Sequence, residues 1–499
     1  MKRMIVTILS LSFLLTLFSG CHHNDSLVVF MELDEKPQTL DPQLVRSTSE
    51  KLIVRNIYEG LMKEGPDGSI ITGAAREYTV SADNKTYTFT LKPDLKWSSG
   101  EKLTAKDFEF AFKRAKNPVT EAPLAYMLNN IASYKATDET HFIITLKNPD
   151  DAFLEKLTYP VFMPCSNEFF NAAKGKYGLN LDKVLCNGVF KLKKWEKESN
   201  FSLRITINPE HDKSSVNVSA VVFTVDTSEN RETRLSKGII DFGFLNYTLA
   251  YNTDENINIQ ANYDTTHCLV LNKKGILESP YMRMAVASSI HRNLISNNLP
   301  YSFKAADNIL PLYLQENYDL LEKSLEYNPD YAAELYKEAL KKYKNKSLSG
   351  MTIKYKKDDN IKVLAATIAE TLQQTVNGYV NIEETEGVSN IYTDISNNKY
   401  YMAILPFTAK NNSIKDFLSN FTTGGAYSIN NANYDSACKA LSDHPTTAEV
   451  NKVLSILNSE YTVIPLEYTA TVFGYLGKYE VPKLNPENGY LDFAYVAKK

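Results

Sequence analysis

The strongest constraint on the fold is a repeated order of short strand patterns, turns and amphipathic helix patterns. Thr86–Leu91 alternates polar and apolar residues, which predicts a strand with one buried face. Lys96–Gly100 then has the composition of a turn, and Thr104 precedes apolar residues at helical spacing. Because strand and helix patterns recur without strict βαβ alternation, we predict α/β domains with mixed sheets.

The same reasoning predicts further elements along the chain. Strands are expected at 27–33, 141–146, 221–225 and 268–271. Helices are expected over 281–295 and 331–343, and after a cap at Ser47 or Thr48.

Length and charge limit the classes of function. A chain of 499 residues predicts about three domains and can bury roughly 75% of its unfolded surface. Its 43% hydrophobic and 23% charged residues are typical of a folded globular protein. Lys and Arg number 55 against 59 Asp and Glu, so the basic excess of a nucleic-acid-binding protein is missing. We predict no nucleic-acid partner.

The first residues have the pattern of an export signal. Lys2 and Arg3 precede an apolar run, Met4–Phe18, that is too short to span a bilayer of about 30 Å. Small residues then lead to Cys21, and this ending resembles the lipobox of bacterial lipoproteins. We predict a signal peptide over 1–20, lipidation of Cys21 and a periplasmic protein anchored to the cell membrane through its lipid. Plain signal cleavage is the alternative.

Motifs of catalysis and metal binding are absent from the sequence. It contains no GxSxG, HExxH, Walker A, GxGxxG or EF-hand pattern, and its seven histidines are scattered. We therefore predict no enzyme activity, no cofactor and no metal. Four cysteines besides Cys21 would allow three full disulfide pairings in an oxidising compartment, and the sequence does not favour one pairing over the others. These cysteines are Cys165, Cys186, Cys268 and Cys438.

Several blocks together resemble a known family. These blocks are Pro37–Pro42 (PQTLDP), Asn56–Leu61 (NIYEGL), Ser81–Leu91, Lys96–Gly100 and Leu103–Phe108, followed by Asn187–Leu192, Lys237–Asp241, Met282–Ala287, Tyr327–Pro329 and Ile464–Leu466. In their order and spacing they resemble the extracellular solute-binding proteins of peptide ABC importers, often called family 5. The resemblance spans nearly all of the mature chain.

The resemblance implies a two-lobed periplasmic-binding-protein fold, of the class II or cluster C type, with mixed sheets flanked by helices. Two hinge strands would join the lobes, and an extra subdomain would be inserted into the first. Mapped onto this chain, lobe I takes residues 22–62, 186–264 and 466–499, the insertion takes 63–185, and lobe II takes 265–465.

The resemblance also implies positions for ligand binding, at which this chain differs from its relatives. An Asp that holds the peptide ammonium in relatives corresponds here to Lys410, after Phe407. Two like charges about 4 Å apart cost about 4 kcal/mol, or about a thousandfold in affinity. Glu50 stands where relatives carry a pocket carboxylate, or else it only favours the N-terminus of its helix. Further wall candidates by position are Tyr126, Phe244, Asn246, Tyr401 and Asn411.

Three explanations of the charge inversion stay open. The ligand's amine could lie elsewhere, as in a γ-glutamyl compound such as glutathione or a peptidoglycan stem peptide, with Lys410 pairing a carboxylate. Asp416 or Glu50 could instead take over the ammonium. In the third explanation Lys410 points to solvent and the assumed register is wrong.

We therefore predict a monomeric substrate-binding lipoprotein of a peptide-type ABC importer. It would capture a short peptide or peptide-like ligand between its lobes and deliver it to the permease and ATPase subunits. The alternatives are a binder of another solute such as a nickel chelate, an exported hydrolase, and a structural or adhesive lipoprotein.

Overall fold

The computed structural model describes residues 27–198, 201–212, 216–226, 230–245, 255–300, 303–344, 346–409, 413–442, 444–482, 484 and 490–499. The predicted signal peptide, Cys21, Asn246, Lys410 and Asn411 lie outside these residues. Among the helices of the described residues, none is long and apolar enough to cross a membrane.

The strands are short except for two that reach 14 and 15 residues. They are β1 (Leu27–Glu32), β2 (Met62–Glu64), β3 (Ile70–Thr72), β4 (Ala75–Val80), β5 (Thr86–Leu91), β6 (Ile131–Ala136), β7 (His141–Leu146), β8 (Phe190–Glu196), β9 (Ser202–Ile207), β10 (Val218–Thr224), β11 (Phe242–Leu245), β12 (Ile257–Leu271), β13 (Phe303–Ala305), β14 (Thr352–Lys356), β15 (Asn381–Thr385), β16 (Met402–Thr408), β17 (Val463–Leu476), β18 (Tyr479–Glu480) and β19 (Ala497–Lys498).

The helices flank these strands. They are α1 (Thr48–Ile57), α2 (Ala105–Lys116), α3 (Phe153–Lys156), α4 (Asn167–Ala172), α5 (Arg231–Ser236), α6 (Pro280–Ser288), α7 (Arg292–Asn297), α8 (Leu312–Gln315), α9 (Pro329–Lys342), α10 (Asp359–Val376), α11 (Val388–Ser396), α12 (Ile414–Leu418), α13 (Ala432–Lys439) and α14 (Thr447–Glu460).

One mixed sheet of eleven strands runs through both halves of the protein. Its order is β15-β14-β16-β12-β17-β11-β1-β10-β9-β8, with β13 paired to β17. β1 pairs in parallel with β10 and β11, whereas β12 pairs antiparallel with β16 and β17. A separate antiparallel sheet, β4-β5-β7-β6, belongs to the predicted insertion.

The two long strands join the lobes. β12 and β17 pair along their whole length, with register shifts between Asn262 and Thr265 and between His267 and Cys268. Buried apolar residues form one large cluster drawn from residues 29–257 and 470–496, a small one drawn from residues 111–177, and two more drawn from residues 268–466. The boundary between the cores of the two lobes therefore falls within β12 and β17, as expected for hinge strands. The exact domain limits stay a prediction, and the insertion shares its largest core with lobe I.

Local sequence signals explain where the helices begin. The Ser47 side chain accepts a hydrogen bond from the backbone N–H of Glu50, and the Glu50 carboxylate accepts one from the N–H of Ser47. This reciprocal capping box starts α1. Thr104 and Asp107 form the equivalent pair at α2. The predicted strands at 86–91 and 141–146 have these same limits in the structure.

One sequence prediction differs from the structure, and one open question, the state of the cysteines, is answered for the described residues. The helix expected over 281–295 is two helices, α6 and α7, because the His291 ring accepts a hydrogen bond from the N–H of Leu294 and starts a second helix. The described cysteines form no disulfide. All four are free and buried, and burial raises the pKa of the Cys165 and Cys186 thiols to about 12.

Gly178 packs against the backbone of the PQTLDP block. Its φ is +75°, and a Cβ there would lie 2.3 Å from the nitrogen of Asp41. Gly178→Ala is therefore expected to lower the free energy of unfolding by about 1–3 kcal/mol more than Gly175→Ala. Gly175 is the matched control, because it has φ +79° and open space around its Cβ position. Denaturant unfolding measures both variants, and equal losses would show that the Asp41 backbone moves aside.

Candidate ligand-binding cleft

A cleft of about 720 Å³ lies between the two lobes. One wall comes from residues between 150 and 156, in the predicted insertion, and the other comes from residues between 313 and 318 and between 413 and 416, in the predicted lobe II. Gln260, Ala261 and Asn262 of the hinge strand β12 line it as well. Because both walls and the hinge contribute, opening or closing of the lobes changes the width of this cleft.

Buried apolar residues orient the first wall. Phe153 and Leu157 are four residues apart at α3 and point into the lobe I core. Glu155, between them, is therefore turned to the cleft, and Asp151 lies just before the helix. In the opposite wall the Ser413 hydroxyl caps α12 by accepting a hydrogen bond from the N–H of Asp416.

Acidic side chains dominate the described lining of the cleft. They are Glu64, Asp67, Asp150, Asp151, Glu155, Glu316 and Asp416, against a single lysine, Lys156. Glu64 pairs with the buried guanidinium of Arg55, and Asp150 pairs with Lys156 at 2.8 Å. Hydrogen bonds from the Ser69 hydroxyl and backbone lower the pKa of Asp67. This excess of carboxylates was not predicted from the sequence.

Glu50 is engaged by the protein itself. Its Oε1 accepts hydrogen bonds from the backbone N–H groups of Gln38 (2.9 Å) and Thr39 (3.2 Å). Its Oε2 accepts from those of Arg46 (2.7 Å) and Ser47 (3.1 Å). The residue is 4% exposed and does not line the cleft. These contacts favour the helix-capping interpretation over a ligand carboxylate.

The predicted aromatic walls do not come together. Phe407 is buried in the lobe II core, with its ring 4.7 Å from that of Phe421. Tyr401 directly precedes the other end of β16, so at 3.3 Å per residue it lies about 20 Å along the strand from Phe407. The ring centroid of Tyr401 lies 4.9 Å from the amine of Lys274. The structure therefore places Phe407 and Tyr401 with core residues instead of on a common cleft wall.

The remaining site predictions are not tested. Phe244 is half-buried beside Phe473, with ring centroids 5.4 Å apart. Tyr126 is 58% exposed, and its neighbour Met127 lines the cleft. Asn246, Lys410 and Asn411 lie outside the described residues. Asp416, the alternative ammonium partner, does line the cleft.

The NIYEGL block joins distant parts of lobe I. The Asn56 side chain donates to the Leu491 carbonyl and accepts from the N–H of Phe493. The Asn187 side chain accepts from the N–H of Glu59 and donates to its carbonyl. These asparagines therefore hold segments that are more than a hundred residues apart in the chain, and their role is structural.

The Glu59 carboxylate is the centre of a charge cluster beside this block. It lies 3.1 Å from the Lys63 amine, 3.5 Å from His211 Nε2 and 3.7 Å from the Lys92 amine. Burial alone raises the pKa of Glu59, but the His211 hydrogen bond and the neighbouring positive charges lower it to about 2. Glu59 therefore stays ionised throughout the physiological pH range.

The described residues contain no group of three or more His, Cys, Asp or Glu side chains arranged to hold a metal ion. The nickel-chelate alternative therefore has no supporting ligand cluster in the part of the chain that the structure describes.

Two lobes that share a sheet through long hinge strands, with a cleft between them, define a two-lobed solute-binding protein. The chain belongs to the bacterial extracellular solute-binding proteins of family 5, whose middle-region model matches residues 69–428.

Individual relatives cover most of the chain. The "Dipeptide-binding protein" of Lactococcus lactis is 28% identical, over 90% of this chain and 88% of its own. The "Periplasmic oligopeptide-binding protein" of Haemophilus influenzae is 24% identical, over 87% and 88%. Among solved structures, the unliganded open form of the murein tripeptide-binding protein MppA has a TM-score of 0.75 at 20% identity, covering 95% and 98% of the two chains.

Proposed function

We propose that this protein is the substrate-binding subunit of a peptide-type ABC importer. It captures oligopeptides or peptide-like ligands between its lobes and delivers them to the permease and ATPase subunits. The observation that carries the proposal is the cleft lined by both lobes and by hinge strand β12, in a chain of this family. The relatives named as dipeptide- and oligopeptide-binding proteins support peptides as the ligand class.

Closure of the lobes is the proposed signal of occupancy. A ligand that contacts both walls binds the closed form more tightly than the open form and therefore shifts the population toward closure. The protein performs no catalysis in this proposal. It acts as a monomer in the periplasm, held to the membrane by a lipid on Cys21 after removal of residues 1–20.

The first test is native mass spectrometry of residues 22–499 purified from the periplasm, followed by denaturing release of the bound molecules. A set of short peptides would support the proposal. A single anionic or γ-linked compound would favour the glutathione or stem-peptide alternative. If the protein is empty and titration with peptides of two to five residues gives no binding heat, the peptide proposal is wrong.

Ligand binding is also expected to compact the protein. X-ray scattering with a saturating peptide should give a smaller radius of gyration than scattering of the ligand-free protein, because the hinge strands allow the walls to approach. A free amino acid at the same concentration is the control for solvent effects. An unchanged radius with a tightly bound peptide would contradict closure.

A further inference from the structure

We propose that the cleft selects ligands with net positive charge, in particular peptides with lysine or arginine side chains. This inference rests on the proposed function, since it names the ligand class of the same cleft. It runs opposite to the first sequence hypothesis, in which Lys410 pairs a carboxylate of an anionic ligand.

The first wall carries acidic side chains that form no ion pair with an amine of the described residues. Among the described residues, Asp151 and Glu155 form no ion pair, and the only lysine of this wall, Lys156, is already paired with Asp150. Asp67, at the turn between β2 and β3, is held in its ionised form by hydrogen bonds from Ser69. This side of the cleft is therefore negative at neutral pH.

The opposite wall has the same sign. Glu316 follows α8 and Asp416 lies in the first turn of α12, and both line the cleft. Glu316 forms no ion pair among the described residues. The described lining of this wall contains His444 but no lysine or arginine. In the described lining, the acidic side chains of one wall thus face acidic side chains of the other across the cleft.

The arrangement affects binding through closure. As the walls approach, their carboxylates repel, and this repulsion disfavours the closed form when the cleft is empty or holds an anion. A cationic side chain between the walls is attracted by both of them, so its attraction increases on closure. Because these carboxylates are in contact with solvent, salt screens their interactions, and at about 0.1–0.15 M the screening is strong beyond a Debye length of about 8–10 Å.

Three tetrapeptides that differ in one side chain test the proposal: Ala-Ala-Lys-Ala, Ala-Ala-Gln-Ala and Ala-Ala-Glu-Ala. Isothermal titration of the mature protein at neutral pH and low salt is expected to show at least tenfold tighter binding of the lysine peptide than of the glutamate peptide, with the glutamine peptide between them. The ratio should fall on addition of about 0.5 M NaCl, where screening is strong.

A double variant, Asp151→Asn with Glu155→Gln, should reduce the lysine-to-glutamate ratio at least threefold. Glu77→Gln, on the exposed strand β4 outside the cleft lining, is the matched control and should leave the ratio unchanged. Equal affinities for the three peptides, or tighter binding of the glutamate peptide, would overturn the charge inference but leave peptide binding intact. Failure of all three peptides and of longer ones to bind would overturn the proposed function itself.

Discussion

Replacing Arg114 by alanine is expected to lower the free energy of unfolding by about 3–5 kcal/mol, because it leaves a buried carboxylate without its counter-charge. Two nitrogens of Arg114 contact the two carboxylate oxygens of Asp41, at 3.2 and 2.6 Å, and one also donates to Gln43 at 2.6 Å. Asp41 is 1% exposed and Arg114 is 7% exposed. The pair fastens helix α2 to the PQTLDP block.

The loss should depend on pH. Burial raises the pKa of Asp41 above its usual value even with Arg114 beside it, and removal of the guanidinium raises it further. A carboxyl with a raised folded-state pKa favours folding at low pH, so the deficit of the variant should shrink as the pH falls toward 4. Denaturant unfolding at neutral and acidic pH measures this change.

Two further variants separate the ion pair from general packing. Arg76→Ala breaks an exposed pair with Glu77 and should leave the unfolding free energy nearly unchanged. Combining Asp41→Asn with Arg114→Ala should cost less than the sum of the single changes, because neither charge is then left alone. Additive losses would show that Arg114 acts through its contacts with the rings of Phe170 and Tyr177 instead.

Glu59→Gln is expected to lower the free energy of unfolding by about 3 kcal/mol at neutral pH. The folded-state pKa of about 2, against the ordinary value of 4.5, corresponds to about 1.4 kcal/mol for each unit. The ionised form of Glu59 stabilises the fold above pH 4.5, and this contribution is lost as the pH falls toward 2. The difference in unfolding free energy between wild type and variant should therefore disappear as the pH falls from 4.5 to about 2.

A second pH limit comes from His211. Burial lowers its pKa, but the hydrogen bond and charge of Glu59 raise it above the usual value overall. The stabilisation of the fold by protonated His211 is fully present below about pH 6.5 and is lost as the pH rises through the raised pKa. Glu101→Gln, an exposed carboxylate, serves as the control. A Glu59→Gln deficit that is the same at pH 3 and pH 7 would contradict this account.

The sequence predicted the elements that depend on local patterns. Thr86–Leu91 alternates strictly, and Ser47 and Glu50 have the spacing of a capping box, so the strand and the start of the helix could be read from neighbouring residues. The helix over 281–295 was predicted without its break, because the cap that His291 makes depends on the direction of its ring. The motif blocks indicated the family without indicating that Asn56 and Asn187 act in packing.

The cleft was harder to predict. Asp150 and Asp151 before an apolar pair are typical of a helix start, and nothing in one sequence shows that they face another lobe. Lys410 is a single position at which this chain differs from relatives, whereas the charge of the cleft comes from several separate segments. Phe407 was placed in the wall by its position in a motif, but its side of β16 faces the lobe II core.

The shared sheet also determines when the protein can finish folding during its synthesis. β1 lies near the start of the chain, but its neighbour β11 pairs on its other side with β17, which lies near the end. The Asn56 side chain likewise makes its hydrogen bonds with Leu491 and Phe493. The same β17 pairs with β12 of the other lobe. A chain still attached to the ribosome therefore lacks a strand common to both lobes until nearly all of its residues have been made. Neither half of the large sheet can therefore be completed before β17 has been made, whereas the separate sheet β4-β5-β7-β6 needs no strand from the end of the chain.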